Sequence, residues 1–395
     1  MTKLKGTVTV YSNSPGAPTG YGQQTEYLVT RMKRDGLDVA VQSNYGVEGI
    51  DTEWDSGYGK VPQFARGYEL YSSDVVIENH KSWMLQNKKQ PDAIVTLYDT
   101  WVLHNTQTDD VSKIIAWTPL DHATMPAAVY MFLKRKNVVP VAMSPFGLRQ
   151  MKEQGIEGVY IPHGIDTKVF KPTYEFNGKP TREFFGIPDD AYFIVMNSAN
   201  KANKSIHRKA FAENLLAFKL FRENNPNSYL YIHTEPLGIF GGFNLIRLAQ
   251  AIGLPQDALL FPRPEDYRRG FTKEQLAAIY TAADITLTTS YGEGFGIATI
   301  ESQACGTPTI TSGFAASPDL VGEDSFVVNG QPFWDEAQAA WFSVPMIGSI
   351  VEALELAQKA KTGKKSEKAI EFASQFDFEK IWNEKWIPFL KEQLR

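Results

Sequence analysis

A chain of 395 residues, 43% hydrophobic and 22% charged, has the composition of a soluble globular protein and the length for two domains with separate cores. Its net charge of −5 excludes a general attraction to nucleic acid or anionic membrane, and its one cysteine, Cys305, excludes an intrachain disulfide framework. No run of about 18 apolar residues is present and residues 1–14 lack the apolar stretch of a signal peptide. No transmembrane segment and a cytoplasmic location are the expectation.

Apolar segments of strand length alternate with helical periodicity along the chain, which predicts an α/β protein with largely parallel sheets. In the first half, strands are expected at GTVTVYS (6–12), DVAV (38–41), DVVIE (74–78), AIVTLY (93–98), KIIAWT (113–118), VVPVAMS (138–144) and GVYIPHG (158–164). The second half offers AYFIVMNS (191–198), SYLYIHT (228–234), ALLFP (258–262), DITLTTS (284–290), TPTITS (307–312) and SFVV (325–328). Between them, Phe211, Leu215 and Phe218 share one helical face, as do Ile347, Val351 and Leu354. Thr272 and Gln275 make a capping box. The basic clusters Arg31, Lys33, Arg34 and Lys134, Arg135, Lys136 sit near expected helix ends and read as solvated faces. The polar, proline-containing stretch 171–190 divides the chain into residues 1–170 and 191–375, and an aromatic helix is expected over 376–395.

The most informative segment is 288–312: a buried strand, a glycine-rich turn, a helix and a second strand. Gly294 and Gly296 can adopt backbone angles closed to other residues and let the chain approach a ligand. The amides of Gly294, Phe295 and Gly296 lead into a helix start that attracts an anion. Glu293 and Glu301 bracket the turn and helix as acceptors for hydroxyl groups, so the segment suits a polyhydroxylated, phosphate-bearing ligand.

A second cluster, Lys201, Lys204, Arg208 and Lys209, follows the strand 191–198 at its carboxyl end, where doubly wound sheets bind ligands. Cations at a helix start are unfavourable unless an anion sits there. Gly20 and Gly22 lie after the first strand, although Thr25 replaces the third glycine of a dinucleotide fingerprint. Asp121 and His122 follow the strand 113–118. Neighbouring side chains on extended backbone point oppositely, so only one is expected to face a ligand. Trp54 and Tyr58 lie in a glycine-rich candidate acceptor loop (44–60), and His163 follows the strand at 158–164.

Glu293 and Glu301, with seven residues between them in the pattern E-x7-E, resemble the donor signature of retaining glycosyltransferases of family 4, which have the GT-B fold. The resemblance implies two Rossmann-like domains facing across a cleft, with the terminal helix crossing back to the first domain. It implies that Glu293 contacts the donor sugar, Glu301 the ribose hydroxyls, and the glycine-turn amides the sugar or diphosphate. Lys209 matches the family's lysine, whereas Lys201 stands where the family has arginine and lacks its bidentate fork. Gly20 and Gly22 would approach the donor phosphates, FPRP (261–264) would lie near the base, and Asp121 or His122 would lie beside the reacting sugar. The expected co-substrate is a nucleotide-diphosphate sugar, with no cofactor and no metal, since no D-x-D carboxylate pair is present. Saccharide, protein, modified nucleobase and lipid all stand open as acceptors, as does the oligomeric state. An epimerase, a phosphorylase and a non-catalytic nucleotide- or sugar-binding protein are the competing readings.

Overall fold

The computed structural model describes residues 4–87, 92–103, 111–202 and 206–395. They divide into unit 1, comprising Met1–Gly164, Glu336–Ala340 and Phe378–Arg395, and unit 2, comprising Ile165–Asp335 and Trp341–Asp377.

Unit 1 is built on β1 (Thr7–Ser12), β2 (Asp38–Ser43), β3 (Thr52–Asp55), β4 (Lys60–Phe64), β5 (Asp92–Leu97), β6 (Ile114–Thr118), β7 (Val138–Ala142) and β8 (Val159–Tyr160). Their order in the sheet is β3-β4-β2-β1-β5-β6-β7-β8. Only the β3–β4 pairing is antiparallel. In β1, Thr7 faces Asp38 of β2 on one side and Asp92 of β5 on the other. β1 and β6 are buried along their whole length; β6 (IIAWT) accordingly reads as a near-continuous apolar run, whereas β1 (TVTVYS) alternates and buries Thr7 and Thr9 as well as its valines. The helices are α1 (Gly20–Arg34), α2 (Val76–Asn87), α3 (Ala127–Leu133) and α4 (Pro145–Glu153). Ile94, Ile114, Val129 and Phe132 form part of the core.

Unit 2 opens with β9 (Glu175–Phe176) and β10 (Lys179–Pro180), paired antiparallel, followed by α5 (Thr181–Phe184). Its main sheet contains β11 (Tyr192–Asn197), β12 (Ser228–His233), β13 (Leu259–Leu260), β14 (Ile285–Leu287), β15 (Thr309–Ser312) and β16 (Phe326–Val328). The order β13-β12-β11-β14-β15-β16 is all parallel. That is the doubly wound arrangement with the first strand central, and the order reverses between β11 and β14. The helices are α6 (Phe211–Asn224), α7 (Leu245–Ala251), α8 (Pro264–Arg269), α9 (Lys273–Ala282), α10 (Ile297–Ala304), α11 (Ile347–Lys359) and α12 (Glu367–Ser374). Phe211, Leu215, Phe218, Ile350 and Leu354 pack with Met196, Leu230 and Ile285 in one core, and the Thr272–Gln275 capping box is formed. The chain ends in α13 (Phe378–Ile381), a π-helical turn over Trp382–Trp386, and α14 (Ile387–Gln393), all within unit 1.

Three segments differ from the sequence-based expectation. Residues 74–78 lead into helix α2, which starts at Val76, instead of forming a strand: Val76, Ile77 and His80 are its buried face, and the three-residue apolar run 75–77 cannot by itself distinguish the two periods. Residues 171–190 belong to unit 2 and carry the β9–β10 hairpin. Asn177 and Gly178 both have positive φ there (51° and 76°), as a tight hairpin turn requires. A further pair, β17 (Gly330–Asp335) and β18 (Ala340–Pro345), was not anticipated. Its Trp334 and Trp341 rings meet edge to face at 5.0 Å.

No helix among the described residues is long and apolar enough to cross a membrane.

Candidate functional site

The reversal point of the unit 2 sheet brings together the loop after β11 and the glycine turn after β14. The first loop is clamped by buried Asn200, whose Nδ2 donates to the carbonyls of Glu235 (2.9 Å) and Phe243 (2.7 Å) and whose Oδ1 accepts from the Phe243 amide (3.0 Å). Lys201 beside it is exposed, with Nζ 5.9 Å from the Phe240 ring centre. Lys204 lies outside the described residues. At the far end of the loop, His207 stacks on Phe243 with ring centres 3.5 Å apart. Ala210 takes a left-handed conformation (φ 51°, ψ 34°) as the N-cap of α6, an unfavourable choice for a residue with a Cβ.

Arg208 and Lys209 both reach Glu293. Lys209 Nζ donates to Glu293 Oε1, and Arg208 donates to Glu293 Oε2 (3.2 Å) and to the Gly292 carbonyl (2.8 Å). The Tyr291 amide donates to the Arg208 carbonyl (2.7 Å), so backbone as well as charge ties the two loops together. Burial raises the carboxyl pKa of Glu293, but the combined charge of Lys209 and Arg208 outweighs it and leaves the group below the ordinary carboxylate value. Glu293 is therefore an anion at neutral pH, and it is the anion that makes cations tolerable at the start of α6.

Neither Gly294 nor Gly296 has a positive φ. This corrects the conformational reason expected for them. Gly296 is the N-cap of α10 at φ −115°, and a Cβ there would lie 2.9 Å from Thr299 Oγ1, so its smallness is what the turn uses. Phe295 between them is buried, its ring 5.8 Å from Phe376.

Glu301 lies on α10 and is only 4% exposed. Its Oε2 accepts from the Tyr280 hydroxyl at 3.0 Å, and that hydroxyl accepts from Asn197 Nδ2 at 2.7 Å. Burial pushes the Tyr280 phenol well above its ordinary value, which keeps it protonated and able to donate. α10 is fixed by hydrogen bonds on its buried face, one between Ser302 Oγ and Thr286 Oγ1 (2.6 Å) and one from Gln303 Nε2 to the Leu320 carbonyl (2.8 Å). Sequence reasoning missed Asn197, Asn200 and Tyr280. The polar residues ending a buried strand at 197–200 were a legible signal for the first two, whereas nothing in the spacing of Tyr280 links it to Glu301.

The remaining candidates lie in unit 1. Gly20 is the exposed first residue of α1, while Gly22 is buried and donates its amide to Thr19 Oγ1 at 3.0 Å. A Cβ on Gly22 would lie 2.2 Å from the Ala17 carbonyl oxygen. Asp121 and His122 do not diverge: the backbone bends at His122, and His122 Nδ1 lies 2.6 Å from Asp121 Oδ1. The two are a hydrogen-bonded pair, so the expectation of opposed side chains is corrected. His163 is 2% exposed, edge-on to Trp117 at 4.4 Å, and burial lowers its pKa to about 3. Trp54 lies on edge strand β3 opposite Val61, and Tyr58 is exposed in the β3–β4 turn. At the unit 1 reversal point, Tyr11 and Tyr21 pack edge-on to Tyr98, and the Tyr21 hydroxyl donates to Asp99 (3.2 Å).

Residues 266–341, which include the whole glycine turn and Glu301, match the family described as Glycosyl transferases group 1. A D-inositol 3-phosphate glycosyltransferase of Mycolicibacterium smegmatis is 36% identical over 95 residues, covering 24% of this chain and 20% of that protein. One from Nocardiopsis dassonvillei is 30% identical over 161 residues, covering 38% and 33%. The matched segments thus span a third or less of these two relatives. Among solved structures, sucrose-phosphate synthase from Thermosynechococcus elongatus aligns over 99% of both chains, with a TM-score of 0.71 and 18% identity. Anabaena HepE in complex with UDP and glucose aligns over 98% of this chain and 100% of its own, with a TM-score of 0.67 and 15% identity. By fold this chain is a GT-B protein, and its residues 266–341 match the group 1 glycosyltransferase family.

Proposed function

We propose that the chain transfers a sugar from a nucleotide-diphosphate sugar to an acceptor hydroxyl, with retention of anomeric configuration. The observation that carries this reading is the meeting of Arg208, Lys209 and Glu293 at the unit 2 reversal point, beside the start of α10 and within the segment matched to the glycosyltransferase family. Arg208, Lys209 and Lys201 supply positive charge for the diphosphate, whose charge grows as the glycosidic bond breaks. The amides of Gly294, Phe295 and Gly296 add the positive end of α10. Glu293 accepts hydrogen bonds from donor-sugar hydroxyls. Glu301, oriented by Tyr280, accepts from the ribose. These cations and amides do the work that a divalent ion does in metal-dependent transferases, so the reading is metal-independent and needs no cofactor. Gly20 and Gly22, the Asp121–His122 pair, Trp54, Tyr58 and His163 are assigned to the acceptor or phosphate side. The acceptor is a hydroxyl on a saccharide, protein, modified nucleobase or lipid, and the protein acts in the cytoplasm. The UDP-bound HepE structure supports a uridine nucleotide as the first donor to test.

The test is a thermal-shift panel of nucleoside diphosphates on wild type and Glu301→Ala. A nucleotide at about 100 times its Kd stabilises the fold by about 2.7 kcal/mol. One nucleotide should raise the wild-type melting temperature and leave the variant nearly unmoved. Response to none of them would remove the donor-site assignment. Proton NMR of the first-formed product then reads the anomeric configuration, and an inverted product would refute retention.

A further inference from the structure

Glu293 occupies the charge partners that a donor diphosphate needs. Its two carboxylate oxygens are divided between Lys209 and Arg208, and its side chain is 14% exposed. The cations remain 21% and 35% exposed, so an anion can reach them from solvent. A carboxylate and a diphosphate cannot share this pair without like-charge repulsion inside a partly desolvated site. Either the carboxylate yields or the diphosphate is held weakly.

We propose that Glu293 is an internal competitor for the diphosphate, displaced when the intact donor binds and restored to the cations as the spent nucleotide leaves. This rests on the donor-site reading above. With the intact nucleotide sugar, a displaced Glu293 gains sugar hydroxyls as new partners, which offsets the lost ion pairs. With the bare diphosphate it gains none, and its return to Lys209 and Arg208 drives the nucleotide out. The residue thus makes the site favour the sugar-bearing nucleotide over the product. No bond is made or broken in this exchange; only ion pairs are swapped.

The proposal requires opposite signs from one substitution. Isothermal titration of wild type, Glu293→Gln and Arg208→Ala/Lys209→Ala with UDP, GDP, ADP and TDP reads the bare diphosphates, and steady-state kinetics with the matching nucleotide sugar reads the donor. In Glu293→Gln the nucleoside diphosphate should bind roughly fivefold or more tighter than to wild type, while sugar transfer falls sharply. The double variant should lose both. If wild type binds a diphosphate and Glu293→Gln binds it equally or more weakly, the competitor role is overturned and the donor site survives. If no diphosphate binds wild type or Glu293→Gln, both readings fall together. Should Glu293→Gln not give a cooperative melt, Glu293→Ala removes the same charge and carries the same expectation.

Discussion

The Tyr280 hydroxyl shows what single atoms do in this site. It donates at 3.0 Å to a carboxylate that is 4% exposed, in a place where water cannot readily replace it. Removing a donor from a buried charged acceptor costs about 1–3 kcal/mol. Tyr280→Phe should therefore lower stability by that amount and weaken nucleotide binding, because Glu301 loses its fixed orientation. Denaturant melts and titration with the nucleotide that binds wild type measure both effects, and an unchanged affinity would show that Glu301 needs no positioning. His163 carries a pH prediction. Its pKa in the folded protein is about 3, below the ordinary imidazole value of 6.5, so between these values the unfolded chain binds the extra proton. The stability it contributes is complete above pH 6.5 and is lost as pH falls toward 3. Between pH 6.5 and 4.5 the loss is about 2–3 kcal/mol, and His163→Gln should narrow the gap between urea melts at those two values by that amount. An equal gap would place the acid sensitivity elsewhere. Glu293 and Glu301 were singled out in the sequence by their resemblance to the E-x7-E signature and by their place around a glycine turn, both of which are local features. Their partners were not: Tyr280 meets Glu301 only through the packing of α9 on α10, which no local pattern encodes.

At the scale of elements, α1 separates two glycines that looked alike in sequence. Gly22 lies where the helix presses on the preceding loop, 2.2 Å from the Ala17 oxygen for any added Cβ, whereas Gly20 is exposed and has no positive φ. Gly22→Ala must shift backbone and should cost about 1–3 kcal/mol. Gly20→Ala should be neutral or stabilise by up to about 1 kcal/mol through the helix propensity of alanine. Thermal melts of the two variants test the structural half. If Gly20→Ala also leaves KM for the nucleotide sugar unchanged, Gly20 is not a phosphate contact. The same contrast explains which elements were readable in advance. Long buried strands such as 192–197 and helices with a regular apolar face such as 211–224 announce themselves by period. The five residues 74–78 did not, since a short apolar run fits either period and the buried residue that decides for helix, His80, lies beyond it. The hairpin at 175–180 hid inside a stretch that composition marked as polar. Its Asn177–Gly178 turn was the signal that outranks composition.

For the whole molecule, the chain leaves unit 1 after Gly164, builds unit 2 (apart from Glu336–Ala340, which belong to unit 1), and returns to unit 1 for its last segment at Phe378. The returning segment is part of the unit 1 core. Trp382, Trp386 and Leu390 are fully buried, Trp382 Nε1 donates to Asp35 at 2.6 Å, and Glu379 pairs with Arg31 and Arg34 at 2.8 Å. Three buried side chains of this size are worth roughly 1.5–3 kcal/mol each, together comparable to the roughly 5–15 kcal/mol that holds a typical domain folded. Deleting residues 378–395 should therefore unfold unit 1. The proposed donor groups, Lys201, Arg208, Lys209, Glu293 and Glu301, all lie in unit 2, whose sheet and core are its own. Scanning calorimetry of the truncated protein should show the unit 1 transition lost and a unit 2 transition remaining, still raised by the nucleotide that stabilises the full chain. A truncated protein that melts like the full chain would remove the returning segment from the unit 1 core. A surviving transition that no longer responds to nucleotide would mean that unit 2 does not hold the donor by itself.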